Sequence, residues 1–329
     1  MLVAGCSHGG TKPGASSPKN TPSSSATSAT PAAAPGPRVC AEPAAVPAQI
    51  PNLRDRLAQL LMVGVKDAND AKAVVTEFHV GGIIIDSDTD LSMLPGPLAE
   101  IATAATPLPL AVGVDEEGGR VSRLRTLLGG RGPTAKEMAQ TMTPAQVHDL
   151  VAERGRKMKE LGITIDFAPV VDVTDAPDDT VIGDRSFGAD PAKVTEYAGA
   201  YAQGLRDAKL LPVLKHFPGH GHGSGDSHTG GVTTPPLADL IANDLLPYKT
   251  LLTNTPVAVM IGHLQVPGLT NSDPASLSPA ALQLLRTGTG YGGPAFDGPV
   301  FSDDLSSMAA ISDRFGVTEA VLKTLQAGT

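Results

Sequence analysis

The sequence predicts an α/β fold: a (β/α)8 barrel of the TIM type that lacks its last strand in this chain. Short apolar runs of strand length alternate with amphipathic helical stretches, and a repeat of strand then helix implies a parallel sheet. The stretch from residue 52 to residue 329 can supply the roughly 250 residues that such a barrel takes. Because only seven strand candidates occur, we expect the barrel domain at 51–329 to be truncated at its C-terminal end.

The strand candidates are apolar runs that end in polar or glycine-rich residues. They lie at 61–65, 80–86, 108–115, 163–173, 210–216, 257–263 and 299–303. The main helical patterns lie at 144–161, 191–209 and 237–252. A further helix is expected from a cap at Asn52 to Leu61, with Leu53, Leu57, Leu60 and Leu61 on one apolar stripe.

Composition limits the function classes. Only 18% of the residues are charged and the formal net charge is −9, so electrostatics gives no reason to expect nucleic acid as a partner. Aromatic residues make up 3% of the chain and Trp is absent, so any stacking platform for a sugar or a base is small.

The N-terminus has the features of an exported lipoprotein. Residues 1–6 end in Val3-Ala-Gly-Cys6, the small-residue pattern that precedes a lipidated cysteine in bacterial lipoproteins. Residues 7–50 are rich in Ala, Pro and Ser and predict a disordered tether. We therefore expect an extracytoplasmic protein, anchored to the cell membrane only through a lipid on Cys6, or secreted. The alternative is a chance Ala-Gly-Cys at a cytosolic N-terminus.

A glycine-rich loop at 215–228 holds four of the eight histidines. The apolar run before it places Lys215 and His216 at the end of a strand, where function gathers in parallel α/β proteins. A turn between Asp226 and His228 would let the carboxylate accept a hydrogen bond from the imidazole. Such a pair suits a histidine that acts as general acid and base.

Other predicted strands also end in polar residues. Any one of these could be a helix cap or part of a surface ion pair, but together they favour a site at one edge of the sheet. They are Asp115, Glu116, Glu117, Arg120, Arg123, Asp172, Arg185, His263, Asp303 and Asp304.

Four segments of the chain carry a resemblance to a known family. Lys215-His-Phe-Pro-Gly-His-Gly221 with Asp226-Ser-His228 resembles the signature of bacterial β-N-acetylglucosaminidases of glycoside hydrolase family three. Phe301-Ser-Asp-Asp-Leu305 is similar to their nucleophile segment, and 113–121 and 183–187 also match. With its lipoprotein start, the chain is most similar to the actinobacterial lipoprotein members.

The resemblance implies a retaining exo-β-N-acetylglucosaminidase that releases non-reducing terminal N-acetylglucosamine from peptidoglycan fragments through a covalent glycosyl-enzyme. Asp303 would be the nucleophile, and His228, oriented by Asp226, the acid and base. The sugar's hydroxyl and acetamido groups would be held by Asp115, Arg123, Arg185, Lys215 and His216. We expect a monomer without cofactor or metal, whose partner is an N-acetylglucosamine-containing glycan or muropeptide.

One local departure and three alternatives accompany this interpretation. Ser306 and Ser307 precede Met308, where the family pattern has Met two residues after Asp-Asp-Leu, so a contact under the sugar is expected to differ. A phosphorylase would use phosphate instead of water in the second step and release sugar 1-phosphate. A metal-dependent hydrolase would use His216, His220, His222 and Asp226 and be sensitive to chelators. A non-catalytic cell-wall-binding lipoprotein would bind muropeptides without turnover.

Overall fold

Seven parallel strands form one curled sheet in the computed structural model, which describes residue 50 and residues 52–105, 108–254 and 256–329. The strands are β1 (Met62–Val65), β2 (Gly82–Ile85), β3 (Ala111–Val114), β4 (Ile165–Asp166), β5 (Leu211–Phe217), β6 (Ala258–Ile261) and β7 (Val300–Ser302).

The strand order in the sheet is the order in the chain. Each strand pairs in parallel with the next, so Ile83 of β2 pairs with Val63 of β1 and Val112 of β3. Within the described ranges no pairing joins β7 to β1. All carboxyl ends of the strands therefore meet at one edge of the sheet.

Helices precede the first strand, connect successive strands and follow the last strand. They are α1 (Leu53–Ala58), α2 (Ala68–Thr76), α3 (Gly96–Ala104), α4 (Ala135–Thr141), α5 (Pro144–Glu160), α6 (Pro191–Asp207), α7 (Leu237–Ala242), α8 (Leu246–Leu251), α9 (Pro279–Thr287), α10 (Ala309–Ser312) and α11 (Val317–Ala327). Short 3-10 turns occupy Leu91–Met93, Gly183–Arg185 and Ala275–Leu277.

The predicted alternation of strands and helices is present, and all seven strand candidates contain a strand. Two element predictions were wrong in extent. The helix expected at 237–252 is two helices, which are separated at Asn243–Leu245. Pro247 lies in the first turn of the second helix, where a proline is well tolerated. The strand expected at 163–173 contains only Ile165–Asp166, because Pro169 has no N–H to donate to a neighbouring strand. Past this point, Val171 donates to the carbonyl of Lys215 at 2.8 Å, outside a regular ladder.

The sheet has two apolar faces because successive strand residues point to opposite sides. One face packs against the helices in the main core, which includes Ile83 and Val112. The other face is lined by a smaller cluster of Ile165, Phe167, Val213, Ala258 and Met260. Phe301 joins this cluster with its ring centroid 5.5 Å from that of Phe167, in an edge-to-face arrangement. The smaller cluster therefore fills the concave side of the curled sheet.

The first helix differs from the prediction in its packing. Asn52 caps it as expected, with its side-chain oxygen accepting from the N–H of Asp55 at 2.7 Å. The helix ends at Ala58, however, and Leu53, Leu57 and Leu60 are exposed by 63%, 46% and 60%. Three leucines of the predicted apolar stripe therefore lie outside the core, whereas the fourth, Leu61, packs against it.

The predictions for the N-terminal region lie almost wholly outside the described residues. Cys6, Cys40 and the tether at 7–50 belong to that region, apart from Ile50, which is buried. Among the residues that the structure does describe, no helix is long and apolar enough to cross a membrane.

Candidate active site

A cleft with about 560 Å³ of empty space opens at the carboxyl ends of the strands. All five residues predicted to bind the sugar line it, together with Asp303 and His228. The full lining is Asp115, Glu117, Val121, Arg123, Val181, Arg185, Lys215, His216, His220, Ser227, His228, Met260, Asp303 and Met308. The parallel sheet thus brings together residues that lie almost two hundred positions apart in the chain.

A buried cluster of four charges forms one wall of the cleft. Lys215 Nζ lies 2.5 Å from Asp115 Oδ1 and 2.6 Å from Glu117 Oε1. Glu117 also accepts two hydrogen bonds from Arg185, each 2.8 Å long. Two cations and two carboxylates therefore balance each other, and three of the four side chains are at most 12% exposed, whereas that of Asp115 is 29% exposed at the cleft.

The cluster holds its members in their charged forms. Burial by itself raises the pKa of Glu117, but the charges of Arg185 and Lys215 outweigh this and bring the pKa well below its ordinary value. Burial by itself lowers the pKa of Lys215, but the carboxylates of Asp115 and Glu117 raise it above its ordinary value. The ammonium and guanidinium groups are thus fixed hydrogen-bond donors at the cleft wall.

Glu117 is a residue of this site that the sequence analysis left out of the predicted binding set. It was recognised as a polar residue after a strand, but nothing in the sequence indicated that it would be the shared partner of Arg185 and Lys215. The available signal was the acidic run of Asp115, Glu116 and Glu117 directly after the apolar residues of β3. At least one of these carboxylates needed a buried cation.

His216 is oriented from behind by Asp172, a carboxylate that the sequence places among the polar strand ends but to which it assigns no role. Its Nδ1 donates to Asp172 Oδ2 at 2.7 Å, and the other oxygen of Asp172 accepts the backbone N–H of His220 at 2.7 Å. Burial raises the pKa of Asp172, but the charge and hydrogen bond of His216 bring it below its ordinary value. Nε2 is therefore the nitrogen of His216 left for a ligand.

Asp226 and His228 form the hydrogen-bonded pair expected from their spacing. A turn brings His228 Nδ1 to 2.7 Å from Asp226 Oδ1, and the same oxygen accepts the backbone N–H of His228 at 2.9 Å. Burial raises the pKa of Asp226, but these two hydrogen bonds lower it below its ordinary value. Asp226 does not line the cleft, whereas the imidazole, whose side chain is 62% exposed, does.

The histidine loop is attached to the segment that follows β7. The N–H of Ala310 donates to the carbonyl of Ser227 at 3.0 Å, and that of Ala309 to the carbonyl of His228 at 3.4 Å. Both N–H groups belong to the first turn of α10, where a helix offers them no partner of its own. Met308, which directly precedes these two alanines, lines the cleft although Ser306 and Ser307 separate it from Leu305.

Asp303 follows β7 and is held in place by its backbone. Its N–H donates to the carbonyl of Ile261 at 3.0 Å, and its Oδ1 accepts the N–H of Asp304 at 3.0 Å. Burial raises the pKa of Asp303, but the charges of His216 and Lys215 and the hydrogen bond from the N–H of Asp304 outweigh it and lower the pKa below its ordinary value. The group is therefore a carboxylate at neutral pH.

The histidines of the metal alternative have separate partners. His222 Nδ1 lies 3.0 Å from Asp244 Oδ1, whereas His216 bonds Asp172 and Asp226 bonds His228. His220 is buried, with neither ring nitrogen bonded to the protein. In the described part of the chain, no group of three or more His, Cys, Asp or Glu side chains is arranged to hold a metal ion.

The model of the glycosyl hydrolase family 3 N-terminal domain matches residues 52–329. The chain belongs to this family. It is 72% identical over 327 residues to the Beta-hexosaminidase LpqI of Mycobacterium tuberculosis (strain ATCC 25618 / H37Rv), covering 99% of this chain and 83% of that protein. The predicted family of hydrolytic enzymes is therefore confirmed.

Solved structures agree with this membership. The structure of M. tuberculosis LpqI superposes with a TM-score of 0.86 at 75% identity, covering 90% of this chain and 86% of that one. A glycoside hydrolase family 3 β-N-acetylglucosaminidase from Paenibacillus sp. str. FPU-7 gives a TM-score of 0.76 at 32% identity, covering 84% of this chain and 54% of that one.

The charge cluster leads to a prediction about stability and pH. Glu117→Gln keeps the size of the side chain but leaves Arg185 and Lys215 with excess positive charge, so we expect a loss of about 3 kcal/mol in the free energy of unfolding at neutral pH. Folding lowers the pKa of Glu117, so its stabilising contribution is present above the ordinary value of 4.5 and is lost as the pH falls below it. Urea unfolding measured from neutral to acidic pH should show the difference shrinking.

Glu153→Gln is the matched control. Glu153 forms an exposed pair with Lys157 on one face of α5, at 2.8 Å, and solvent screening leaves such a pair little effect on stability. An equal loss in the two variants, or a Glu117→Gln difference that did not shrink in acid, would contradict the assignment of Glu117 as a buried counter-charge.

Proposed function

We propose that this chain is a retaining exo-β-N-acetylglucosaminidase that removes terminal N-acetylglucosamine from peptidoglycan fragments. The observation that carries the proposal is that the Asp303 carboxylate and the imidazole of the Asp226–His228 pair line one cleft, beside the buried charge cluster. The name Beta-hexosaminidase of a 72% identical relative supports the same reaction class.

In the first step, Asp303 attacks the anomeric carbon as the bond to the leaving oxygen breaks. The low pKa of Asp303 keeps it unprotonated and able to attack at neutral pH. Protonated His228 donates its Nε2 proton to the leaving oxygen, and Asp226 stabilises the imidazolium form. The products of this step are a covalent ester on Asp303 and the released aglycone.

In the second step, neutral His228 takes a proton from water as the water oxygen attacks the anomeric carbon. The ester bond to Asp303 breaks, so the carboxylate is regenerated and His228 is again protonated. Two displacements at the same carbon give net retention of configuration. His228 thus replaces the second carboxylate of the usual glycosidase pair.

The buried charges suit recognition of a polar sugar. Asp115, Lys215 and Arg185 present fixed acceptors and donors, and His216 offers Nε2 to a hydroxyl or acetamido group. A site built to bond such groups discriminates strongly against analogues that lack them.

The proposal also covers the barrel architecture and the cellular location of the protein. The order of the seven parallel strands supports a TIM-type barrel without its last strand. We propose a monomer, and the Val3-Ala-Gly-Cys6 sequence supports its anchoring to the cell membrane through a lipid on Cys6. Mass spectrometry of the native N-terminus would detect the acylated cysteine, and an unmodified residue upstream of Cys6 in the mature protein would exclude it.

The role of Asp303 is tested by Asp303→Asn. The variant keeps the size of the side chain but loses the nucleophilic charge, so we expect kcat to fall by more than about 10⁴-fold while the protein stays folded. A 5-fluoro glycoside of N-acetylglucosamine with a good leaving group keeps the acetamido group and should label Asp303 in the wild type, as read by peptide mass spectrometry. Label on Glu116, Glu117 or Asp304 would overturn the assignment.

The role of His228 is tested by comparing leaving groups. His228→Ala should slow substrates with poor leaving groups by about 10²- to 10⁴-fold, but activated aryl glycosides much less, because their departure needs little protonation. Asp226→Ala should show the same pattern more mildly. Azide should accelerate release of the sugar from the His228→Ala enzyme, since azide needs no general base.

His222→Ala is the control from the same loop, because its imidazole is bonded to Asp244 and does not line the cleft. The rate of His222→Ala relative to the wild type should be the same for substrates with good and with poor leaving groups. If His228→Ala slowed natural and activated substrates equally and azide had no effect, His228 would be a structural residue of the loop.

A further inference from the structure

His263 is a buried histidine beside the proposed nucleophile that the mechanism above does not use. It follows β6, is only 1% exposed, and both ring nitrogens have partners. Nε2 lies 2.7 Å from the backbone carbonyl oxygen of Asp304, and Nδ1 lies 2.7 Å from the hydroxyl of Ser276.

The partners of the two ring nitrogens determine which group donates in each hydrogen bond. A carbonyl oxygen can only accept, so Nε2 of His263 carries the proton and donates to Asp304. Burial lowers the pKa of His263, which favours the neutral ring, and Nδ1 is then an acceptor. The Ser276 hydroxyl must therefore donate to Nδ1, and the chain of bonds runs from Ser276 through His263 to the peptide after Asp304.

Asp304 also contacts the side chain of the proposed nucleophile, through its backbone N–H. The backbone N–H of Asp304 donates to Asp303 Oδ1 at 3.0 Å. The Asp304 carboxylate accepts the N–H and hydroxyl of Ser306 at 2.7 Å and 2.6 Å. The N–H that orients the Asp303 carboxylate thus belongs to a residue whose carbonyl is held by His263.

We propose that His263 and Ser276 are positioning residues that set the orientation of the Asp303 carboxylate through the backbone of Asp304. The inference rests on the proposed role of Asp303 as nucleophile. Its physical basis is the steep dependence of attack on geometry: a displacement of about 1 Å can lower a rate by about 10²-fold. The residues that bind the sugar lie elsewhere in the cleft, so binding should be spared.

Two conservative replacements of His263 separate the two bonds. The amide nitrogen of Gln reaches about as far as Nε2, so His263→Gln retains a donor to Asp304. The amide of Asn reaches only about as far as Nδ1, so His263→Asn keeps the contact with Ser276 and leaves the Asp304 carbonyl unpaired. Both replacements are neutral and polar, and they differ in the bond that the proposal requires.

The experiment measures the rate at which the fluoro-glycoside labels Asp303, and the inhibition constant for N-acetylglucosamine. We expect His263→Asn to slow labelling by about 10²-fold with the inhibition constant within about twofold of the wild type. His263→Gln should restore labelling to within about fivefold, and Ser276→Ala should lie between the two. Equal rates for the Asn and Gln variants, or a parallel loss of labelling and binding, would overturn the proposal.

Thr324→Val controls for stability. The Thr324 hydroxyl donates to the backbone carbonyl of Ser276 at 3.0 Å, so the variant loses a buried hydrogen bond of the same region that is not part of the chain to Asp304. It should lower the unfolding midpoint in urea without slowing labelling. Slowed labelling in Thr324→Val would mean that any loosening of the region has this effect, and His263 would then have no positioning role.

The same measurement distinguishes the two proposals. If the wild type carries the label on another residue, or takes no label, the nucleophile assignment fails first. If the wild type is labelled on Asp303 and the His263 variants behave alike, only the positioning role fails.

Discussion

The site depends on the burial of Lys215 between two carboxylates. An ammonium ion with 2% of its side chain exposed is tolerated only because Asp115 and Glu117 lie within 2.6 Å of its nitrogen. The ends of two strands, β3 and β5, supply Asp115, Glu117 and Lys215, and Arg185 lies in the 3-10 turn Gly183–Arg185. None of the four charges can be removed without leaving another uncompensated. The arrangement supplies rigidity at the cleft wall more than it supplies stability, because desolvation offsets most of the attraction.

The sequence was sufficient to predict what depends on local pattern. Apolar runs located all seven strands, and the polar residues after them lie together because parallel strands end at one edge. The 163–173 prediction failed because hydrophobicity cannot show that Pro169 interrupts a ladder. The stripe of α1 failed because periodicity shows that a helix has an apolar side, but not whether the core reaches it.

What the sequence could not show are the partners within the site. Glu117, Asp172 and His263 each act on a residue distant in the chain, and no spacing rule connects them. Asp226 and His228 were predictable because two residues and a turn suffice to join them. The difference is the distance along the chain. A pair two residues apart can be predicted from the local backbone conformation, whereas a pair far apart in the chain meets only when the whole sheet has formed.

The attachment of the histidine loop to α10 has a stereochemical consequence. The backbone bonds at Ala309 and Ala310 join the loop of His228 to a segment that begins only a few residues earlier, at Asp303. The length of that segment, including Ser306 and Ser307, therefore sets how far the imidazole stands from the carboxylate. In glycosidases with two catalytic carboxyl groups, the separation of those groups differs between retaining and inverting enzymes. An insertion or deletion between residues 304 and 308 would thus change the separation of the two proposed catalytic groups, although it would replace neither of them.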